Sequence, residues 1–348
     1  MSFANYRDVD FVSAKEVSEE QLRIFYQHAF PQRAAYLANN WAWHYGGPSG
    51  VNLSFWPLLA VAPSGQILGH VGTIPSVLNE RADKVPASWF VDFFVLPEAR
   101  GSGLGSALIR RVMQASPLMM AVAVSKFSLP IFRKYGWREV PGTVRLSSII
   151  QFNHFCPVES LSLRRLTSSV IDAPLNLIRS STVSFLQKGK VTRQTVGIDN
   201  YTAKELLGFG VGRRIWDEEL VEWRLKHSEL GGRILLHSVG RESAISRVFH
   251  NKNRKELHVL SFGENASSSI FGYLLSWAIC EKVSRIVILT GDQDIKDLAR
   301  RYLFFSTPMT PFFYSEDKAL VERVSRQPPN LQMIDSDLDM ALPDKLVA

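Results

Sequence analysis

The hydrophobic pattern of the chain is clearest between residues 89 and 113. Residues 89–96 (WFVDFFVL) are aromatic or β-branched almost without a break, which is typical of a buried strand. Apolar residues then recur at intervals of three to four positions over residues 104–112, which predicts one face of a helix. The link between strand and helix carries glycine at every second position, at Gly101, Gly103 and Gly105.

A strand, a glycine-rich turn and a helix N-terminus together favour the binding of an anion. The first-turn amides have no intrahelical acceptor, the helix dipole is positive there, and glycine lets a phosphate approach the backbone. The glycine spacing does not fit the G-x-G-x-x-G of dinucleotide-binding folds, and no Gly-Lys-Ser/Thr of a nucleotide P-loop is present. A glycine-rich turn that binds nothing is the alternative.

The spacing Arg-x-x-Gly-x-Gly after an apolar strand resembles the acyl-CoA signature of the GNAT acyltransferases, with matches at Arg100, Gly101, Gly103 and Gly105. The resemblance implies acetyl-CoA as co-substrate, its diphosphate held by the amides of residues 101–106 and its pantetheine arm paired with the preceding strand. It also implies that the amide of Val95 polarises the thioester carbonyl. The implied cofactor-binding residues are Phe94, Val95, Arg100, Gly101, Ser102, Gly103, Leu104, Gly105, Ser106 and Phe132.

Residues 125–137 resemble the second signature of the same family, with Gly136 and Trp137 in place. Ser125 stands where that family usually has asparagine. Phe132 stands where it commonly has the tyrosine that protonates the leaving thiolate, and phenylalanine has no proton to give. Three alternatives stay open: the thiolate leaves without a side-chain acid, water or Ser125 serves, or the site binds acyl-CoA without turning it over.

Two residues are candidates for the base that takes the proton of an attacking amine. Asp92 lies in an otherwise apolar strand, where a carboxylate must be paired or face a cleft. His70 lies in a predicted hairpin strand, and an imidazole titrates near neutral pH. A structural role is the alternative for both residues.

Aromatic residues cluster in the predicted helix before that hairpin, at Trp41, Trp43 and Tyr45. Aromatic rings stack on sugar faces and apolar groups, so these residues are candidates for the acceptor pocket, with core packing as the alternative. A Trp-Arg pair ending in Arg224 echoes this segment in the second half, and Arg224 is a further acceptor candidate.

The second half repeats the order of predicted elements found in the first. A tryptophan-bearing helix precedes a hairpin over residues 232–249, a strand over 257–262, a helix over 270–282, a strand over 285–290, a last helix over 294–302 and a last strand over 310–314. This order indicates an internal duplication. Residues 263–268 replace the glycine loop with one glycine, an acidic residue and no arginine, which predicts no CoA site in this half.

The predicted fold is therefore α/β (α+β): two tandem GNAT-like domains, each a mixed, mostly antiparallel central sheet flanked by helices. The predicted domains are residues 1–155, with the acyl-CoA site, and residues 201–326, a degenerate copy that forms the far wall of the acceptor cleft. A basic amphipathic connector (156–200) joins them, and an irregular tail (327–348) follows. The connector suits a helix pair between domains, and over residues 161–190 it also suits peripheral contact with an anionic membrane.

Composition adds little to this prediction of fold and function. The formal net charge of +7 fits a polyanionic ligand such as CoA, and fits nucleic acid or an anionic membrane no worse. Two cysteines, no signal-peptide pattern and no apolar run of the ~20 residues that span a bilayer indicate a cytoplasmic protein without a disulfide framework. We expect no metal site and no nucleic-acid partner, and the oligomeric state stays open.

The leading functional hypothesis is direct transfer of an acyl group, in the first instance acetyl, from CoA to the amine of a small molecule. Resemblance to two-domain GNAT-like enzymes that modify amino-sugars of bacterial surface polysaccharides makes an amino-sugar a candidate acceptor. The alternatives are a non-catalytic acyl-CoA-binding or scaffold protein, and a peripheral membrane protein.

Overall fold

Two sheets with flanking helices make up the fold of this protein. The computed structural model describes residues 8–48, 57–80, 83–114, 116–151, 176, 192–209, 217–225, 233–251, 254–263, 266–326 and 331. The strands are β1 (Asp10–Ser13), β2 (Leu58–Val61), β3 (Ile67–Glu80), β4 (Asp83–Val95), β5 (Leu118–Ala121), β6 (Arg138–Glu139), β7 (Val144–Ile149), β8 (Arg193–Gly197), β9 (Arg233–Val239), β10 (Glu242–Asn251), β11 (Arg254–Phe262), β12 (Arg285–Thr290), β13 (Phe305–Pro308) and β14 (Phe312–Tyr314). The helices are α1 (Glu19–Ala29), α2 (Ala34–Gly46), α3 (Leu104–Val112), α4 (Leu129–Lys134), α5 (Ala203–Gly208), α6 (Glu218–Leu225), α7 (Ser268–Cys280), α8 (Gln293–Arg301) and α9 (Lys318–Arg326).

Each sheet has seven strands among the described residues. The first sheet has the order β1-β2-β3-β4-β5-β14-β6, and the second has the order β13-β7-β12-β11-β10-β9-β8. Pairing is antiparallel except between β4 and β5 and between β11 and β12, where a helix connects parallel strands. The predicted fold class, with two mixed and mostly antiparallel sheets flanked by helices, is confirmed.

The two halves exchange a strand. β14, from the second half, lies between β5 and β6 of the first sheet, whereas β7, from the first half, lies between β12 and β13 of the second. The two crossing segments bond to each other, since Val140 N donates to Pro311 O and Met309 N donates to Thr143 O, both at 3.0 Å. The sheets therefore do not follow the predicted division at residues 155 and 201, because each half contributes an inner strand to the other.

The helix predicted after the glycines is α3, and its predicted apolar face is buried. Leu104, Leu108, Ile109 and Val112 are all buried, and α3 packs closely on β3. A Cβ added at Gly69 of β3 would lie 2.7 Å from Leu108 Cδ1. This close contact places the N-terminus of α3 next to the end of β4.

Some predicted elements differ from the structure or fall outside the described residues. The predicted 294–302 helix corresponds to α8, but it is not the last one, because the unpredicted helix α9 follows it. Residues 156–191 of the predicted connector apart from Asn176, the tail apart from Leu331, and Glu264 and Asn265 of the second loop lie outside the described residues, whereas residues 193–197 of the connector form strand β8. Among the helices that are described, none combines the length and apolar character needed to cross a bilayer.

Candidate active site

An open cleft separates β4 from β5 in the first sheet. The two strands pair only over residues 87–89 and 118–120, and beyond Trp89 they diverge. The register of β4 against β3 shifts between His70 and Gly72, so β4 carries an extra residue there, and Asp92 has a left-handed φ of 48°. The resulting cleft has a volume of about 940 Å³. The bulge and the divergence of the two strands leave backbone N–H and C=O groups of β4 facing the cleft, whereas in a regular sheet they would bond to the neighbouring strand.

The glycine loop lies where β4 ends and α3 begins. Gly103 is the N-cap of α3 with φ 89°, a left-handed conformation that favours glycine. Ser102 Oγ donates to Ala99 O at 2.7 Å and accepts from Leu104 N at 3.4 Å. Within the described residues, no protein acceptor binds the amides of Gly103, Gly105 and Ser106. These amides are therefore open for the predicted anion cradle.

Gly105 holds the cradle against the end of β4. A Cβ at this position would lie 3.3 Å from Phe93 Cζ and 3.6 Å from Val95 Cγ2. An added Cβ would therefore require the Phe93 ring or α3 to shift by a few tenths of an ångström. The glycine therefore keeps the cradle and the open strand contiguous.

The amides of Phe93 and Val95 face the cleft side of β4. In an antiparallel pair every second residue points its N–H at the partner strand. Leu96 N donates to Leu68 O at 2.9 Å, so Val95 and Phe93 point away from β3. The carbonyl of Val95 on this side accepts from Arg100 Nε at 3.0 Å.

Two of the predicted cofactor residues have a supporting position instead of facing the cleft. Arg100 uses its Nε to hold Val95 O, and its guanidinium lies 5.4 Å from the centre of the Phe94 ring. Phe94 pairs with His70 of β3, and its ring packs on Phe30. The backbone of Phe94 thus faces β3, and the amide on the cleft side at this point of β4 belongs to Phe93.

Phe132 and Ser125 lie on the β5 side of the cleft. Phe132 is buried and packs against Phe90 and Trp137, with ring centres 5.1 and 4.4 Å away. Ser125 is exposed, and its Oγ lies 3.0 Å from Ser128 Oγ and accepts from Ser128 N at 3.2 Å. Phe132 therefore gives an apolar wall, while Ser125 presents a hydroxyl to the cleft.

Asp92 does not act as the predicted base, because its carboxylate is enclosed. Arg33 Nη1 lies 2.6 Å from Oδ1, and the Tyr45 hydroxyl donates to Oδ2 at 2.9 Å. The side chains of Asp92 and Arg33 are 0% and 3% exposed. Burial and the carboxylate both raise the pKa of Tyr45 well above its usual value, so its hydroxyl keeps its proton. Asp92 is a structural anchor of the bulge.

His70 is likewise not the predicted base. It is fully buried, and its Nδ1 donates to Asp92 O at 2.8 Å. Its Nε2 lies 3.4 Å from the Tyr26 hydroxyl. Burial lowers the pKa of His70 to about 4, although the contact with Asp92 opposes this. The imidazole is therefore neutral and supports the bulge from the β3 side.

The buried His70 predicts acid sensitivity of the fold. Its pKa rises from about 4 in the folded chain to the ordinary 6.5 on unfolding, so the unfolded state binds the extra proton between these values. We expect the free energy of unfolding to fall as the pH drops from 6.5 towards 4, measured by urea denaturation. His70→Gln should flatten the curve in this window. His28→Gln, at an exposed position, is the control; an unchanged curve for His70→Gln would contradict the assignment.

Most of the predicted acceptor residues do not line the cleft. Trp43 packs on Trp223 of α6 with ring centres 5.3 Å apart, and Trp223 Nε1 donates to Trp43 O at 3.2 Å. Tyr45 and Arg224 are each 1% exposed, and Trp41 is half-buried outside the cleft. The two tryptophan-bearing helices bind each other, so the structure does not place Trp43, Tyr45 and Arg224 in the wall of this cleft.

The cleft includes residues that sequence reasoning missed. The strand exchange brings Arg145 of β7 and residues 307–310 to its wall. Phe30 and Glu139, from the first half, also line it. No local pattern marks these positions, because their approach depends on which sheet each strand joins. Groups of three or more metal-ligating side chains do not occur in the described part of the chain.

The counterpart of the cradle in the second half is filled by the chain itself. Glu242 Oε2 accepts from Ser267 N at 3.2 Å and from Ile270 N at 3.0 Å, and Oε1 accepts from Ser267 Oγ at 2.6 Å. A carboxylate thus occupies the N-terminus of α7, the helix that corresponds to α3. This supports the prediction that the second half lacks a CoA site.

Comparisons with known proteins agree on the fold. Residues 15–127 match the model of the acetyltransferase (GNAT) family. A GCN5-related N-acetyltransferase from Kribbella flavida superposes with a TM-score of 0.55 at 14% identity, over 88% of this chain and 71% of its own. One from Anabaena variabilis gives 0.56 at 12% identity, over 88% and 72%. A probable N-acyltransferase from Enterococcus faecalis gives 0.53 at 13%, over 87% and 71%. No curated protein sequence matches.

Proposed function

The chain carries an acetyltransferase domain of the GNAT family over residues 15–127, and from this premise we propose that it transfers an acyl group, in the first instance acetyl, from CoA to the amine of a small molecule. The observation that carries the proposal is the continuity of the cradle with the open strand. The amides of Gly103, Gly105 and Ser106 have no protein acceptor in the described part of the chain, and Gly105 lies against Phe93, which lines the cleft.

Acyl-CoA fits this arrangement by charge and by shape. The diphosphate binds the amides at the positive end of α3, and the pantetheine arm adds to the cleft edge of β4 as an extended strand would. The thioester lies a full arm's length from the diphosphate, deeper in the cleft than Val95, since Phe93 lines the cleft and Val95 is not among the residues that line it. We therefore assign the amide of Phe93, in place of Val95, to the thioester carbonyl. Such a donor stabilises the oxyanion that forms on attack.

The proton of the attacking amine needs another acceptor now that Asp92 and His70 are enclosed. Glu139 is the remaining carboxylate of the described cleft wall, and it lies 2.7 Å from Arg133 Nε. Since β5 and β14 lie between β4 and β6, we assign it to take the ammonium proton through a chain of waters in the cleft. The amine nitrogen then bonds to the thioester carbon, the C–S bond breaks, and the thiolate leaves towards Ser125, whose hydroxyl can donate a hydrogen bond to it.

The acceptor is an amine of a small molecule, and an amino-sugar of surface-polysaccharide synthesis is the finer proposal that the resemblance supports. A non-catalytic acyl-CoA-binding protein is the second candidate, favoured by the buried Phe132 at the position of the usual acid. Release of CoA thiol from acetyl-CoA, measured against a panel of amines and amino-sugars, separates the two. Acetyl-CoA binding without amine-dependent release would identify a binding protein.

Glu139→Gln should lower kcat by ~100-fold, as removal of a general base does, while the KM for acetyl-CoA stays unchanged. The fall in rate at low pH, the acidic limb of the pH–rate profile, should also disappear in this variant. Glu281→Gln is a matched control, because Glu281 has the same 2.7 Å ion-pair distance, to Lys255, but lies outside the cleft. Full kcat in Glu139→Gln at every pH would remove Glu139 from the mechanism.

A further inference from the structure

The buried part of the cleft wall is apolar. Among the described lining residues, every buried side chain is apolar except that of Asp92, which is enclosed by its own partners. These buried apolar residues are Phe90, Val91, Ala121, Phe132 and Phe312. The polar side chains of the wall, such as Ser125, Lys126 and Glu139, are exposed or half-buried. A ligand that fills the cleft therefore meets polar groups at the mouth and apolar groups at the bottom.

Four phenylalanine rings form a continuous wall across this apolar bottom. The ring of Phe93 lies against Gly105 of the cradle, and its centre is 5.6 Å from that of Phe90. The centre of Phe90 is 5.1 Å from that of Phe132, which is 5.8 Å from that of Phe312. All four residues line the cleft. The wall thus begins at the cradle and ends at β14, a strand of the second half.

Both strands that border the cleft leave strand geometry at matching positions. Trp89 and Met120 are their last pair, and the third residue beyond each, Asp92 and Ala123, has a left-handed φ, of 48° and 56°. A left-handed φ is unfavourable for residues with a Cβ, and such strain is concentrated at functional sites. On the β5 side of the cleft, Ala121 and Ala123 present only methyl groups. The cleft therefore widens on both sides beyond the last pair and leaves room next to the rings.

Acetyl-CoA and a polar amine do not supply enough apolar surface for this wall. The diphosphate and the amide-bearing arm of CoA are polar, and the apolar part of an acetyl group is one methyl. That methyl would start at the thioester next to Phe93, the first ring of the wall, and would leave the rings of Phe132 and Phe312 uncovered. Phe132 lacks the hydroxyl that a tyrosine would present, so this part of the wall asks for no hydrogen bond. Apolar surface is covered most favourably by an apolar group.

We propose that the preferred acyl group is an apolar chain longer than acetyl, in the range from butyryl to octanoyl, which lies along the rings of Phe90, Phe132 and Phe312. This rests on the proposed acyl transfer and specifies the class of its acyl donor. The three phenylalanines are then specificity-determining residues. Because Phe312 belongs to β14, the second half takes part in selecting the acyl group.

A binding experiment tests the acyl site without requiring turnover. Free CoA, acetyl-CoA, butyryl-CoA, hexanoyl-CoA and octanoyl-CoA are titrated into the protein by calorimetry in the absence of an amine. Free CoA reports on the cradle alone, and the series reports on the acyl site. Each methylene that is buried should tighten binding about fourfold. We therefore expect hexanoyl-CoA to bind at least tenfold more tightly than acetyl-CoA.

Two variants at one position should change the preferred chain length in opposite directions. Phe312→Trp fills the end of the wall and should reduce the ratio of hexanoyl-CoA to acetyl-CoA affinity at least threefold. Phe312→Leu opens it and should move the chain length at which affinity stops rising towards longer chains. A general loss of structure would weaken all members of the series alike. Phe305→Trp, at a position that is 66% exposed and outside the cleft, should keep the wild-type ratio. Phe132→Tyr adds one hydroxyl to the wall, should also reduce the ratio, and serves where the Phe312 variants fold poorly.

A kinetic comparison separates the acyl donor from the acceptor as the source of the apolar group. With one amine held constant, kcat/KM for hexanoyl-CoA should exceed that for acetyl-CoA at least tenfold. With acetyl-CoA held constant, hexylamine and ethanolamine should differ less than this.

The proposal is overturned if hexanoyl-CoA binds no more tightly than acetyl-CoA, or if Phe312→Trp and Phe312→Leu leave the wild-type order of chain lengths unchanged. It is also overturned if only the apolar size of the amine matters, because the wall then belongs to the acceptor. Where no amine is turned over, the titration decides about the acyl group. Acyl transfer is judged separately, by amine-dependent thiol release, and the cradle by the binding of free CoA.

Discussion

Gly103→Glu should abolish acetyl-CoA binding. The substitution places a carboxylate at the N-cap of α3, among the amides that would hold the diphosphate, and it forces a non-glycine residue to φ 89°. Like charges brought together cost several kcal/mol. Since each 1.4 kcal/mol is tenfold in affinity, we expect a loss of at least ~100-fold, measured by calorimetric titration with acetyl-CoA.

Two further variants separate charge from backbone strain. Gly103→Ala imposes the same φ without a charge and should lose far less affinity than Gly103→Glu. Gly240→Glu introduces the same side chain at a left-handed glycine (φ 60°) in the turn between β9 and β10, remote from the cradle, and should bind acetyl-CoA normally. Equal heats of binding for Gly103→Glu and the wild type would show that the cradle does not hold the cofactor.

The cradle could be predicted from sequence because all of its parts are local. The strand, the glycines and the helix lie within residues 89–113. The strand is marked by bulky side chains, the glycines by their φ preference and the helix by its hydrophobic period. The GNAT resemblance and the α/β class followed from these signatures; the fold confirms the class, and the GNAT family model matches residues 15–127. The duplicated order of elements was also readable from the sequence, since it needs only the succession of strands and helices.

The acceptor side could not be predicted, because it depends on the strand exchange. Whether β7 joins the first sheet or the second is decided by competition between two similar edges, at β5 and β12, and nothing in either strand alone distinguishes them. Consequently Arg145 and Thr307 carried no signal as cleft residues, whereas the conspicuous Trp43 and Tyr45 lie outside the cleft wall. Asp92 was correctly recognised as unusual, but its partner Arg33 lies 59 positions away and gave no pattern.

Asp92→Ala should be the most destabilising of the substitutions considered. It leaves the buried Arg33 without its carboxylate partner, which in other proteins costs about 3–5 kcal/mol, and it removes the acceptor of the Tyr45 hydroxyl. Alanine also tolerates the left-handed φ of 48° worse than aspartate. Because Asp92 anchors the bulge, the variant should lose acetyl-CoA affinity along with stability, measured by urea denaturation and by titration below the unfolding midpoint.

The exposed pair of Arg300 and Asp297 gives the matched control for this effect. Its N–O distance is also 2.6 Å, but the two side chains are 69% and 48% exposed, so Asp297→Ala should cost no more than about 1 kcal/mol. Combining Arg33→Met with Asp92→Asn should cost less than the sum of the single changes, because the pair is then removed together instead of leaving one charge buried. Two outcomes would contradict this role: Asp92→Ala lowers the free energy of unfolding no more than Asp297→Ala does, or it lowers stability while acetyl-CoA affinity stays unchanged. In either case the buried pair does not hold the bulge open, and the divergence of β4 from β5 must arise from the crossing strands alone.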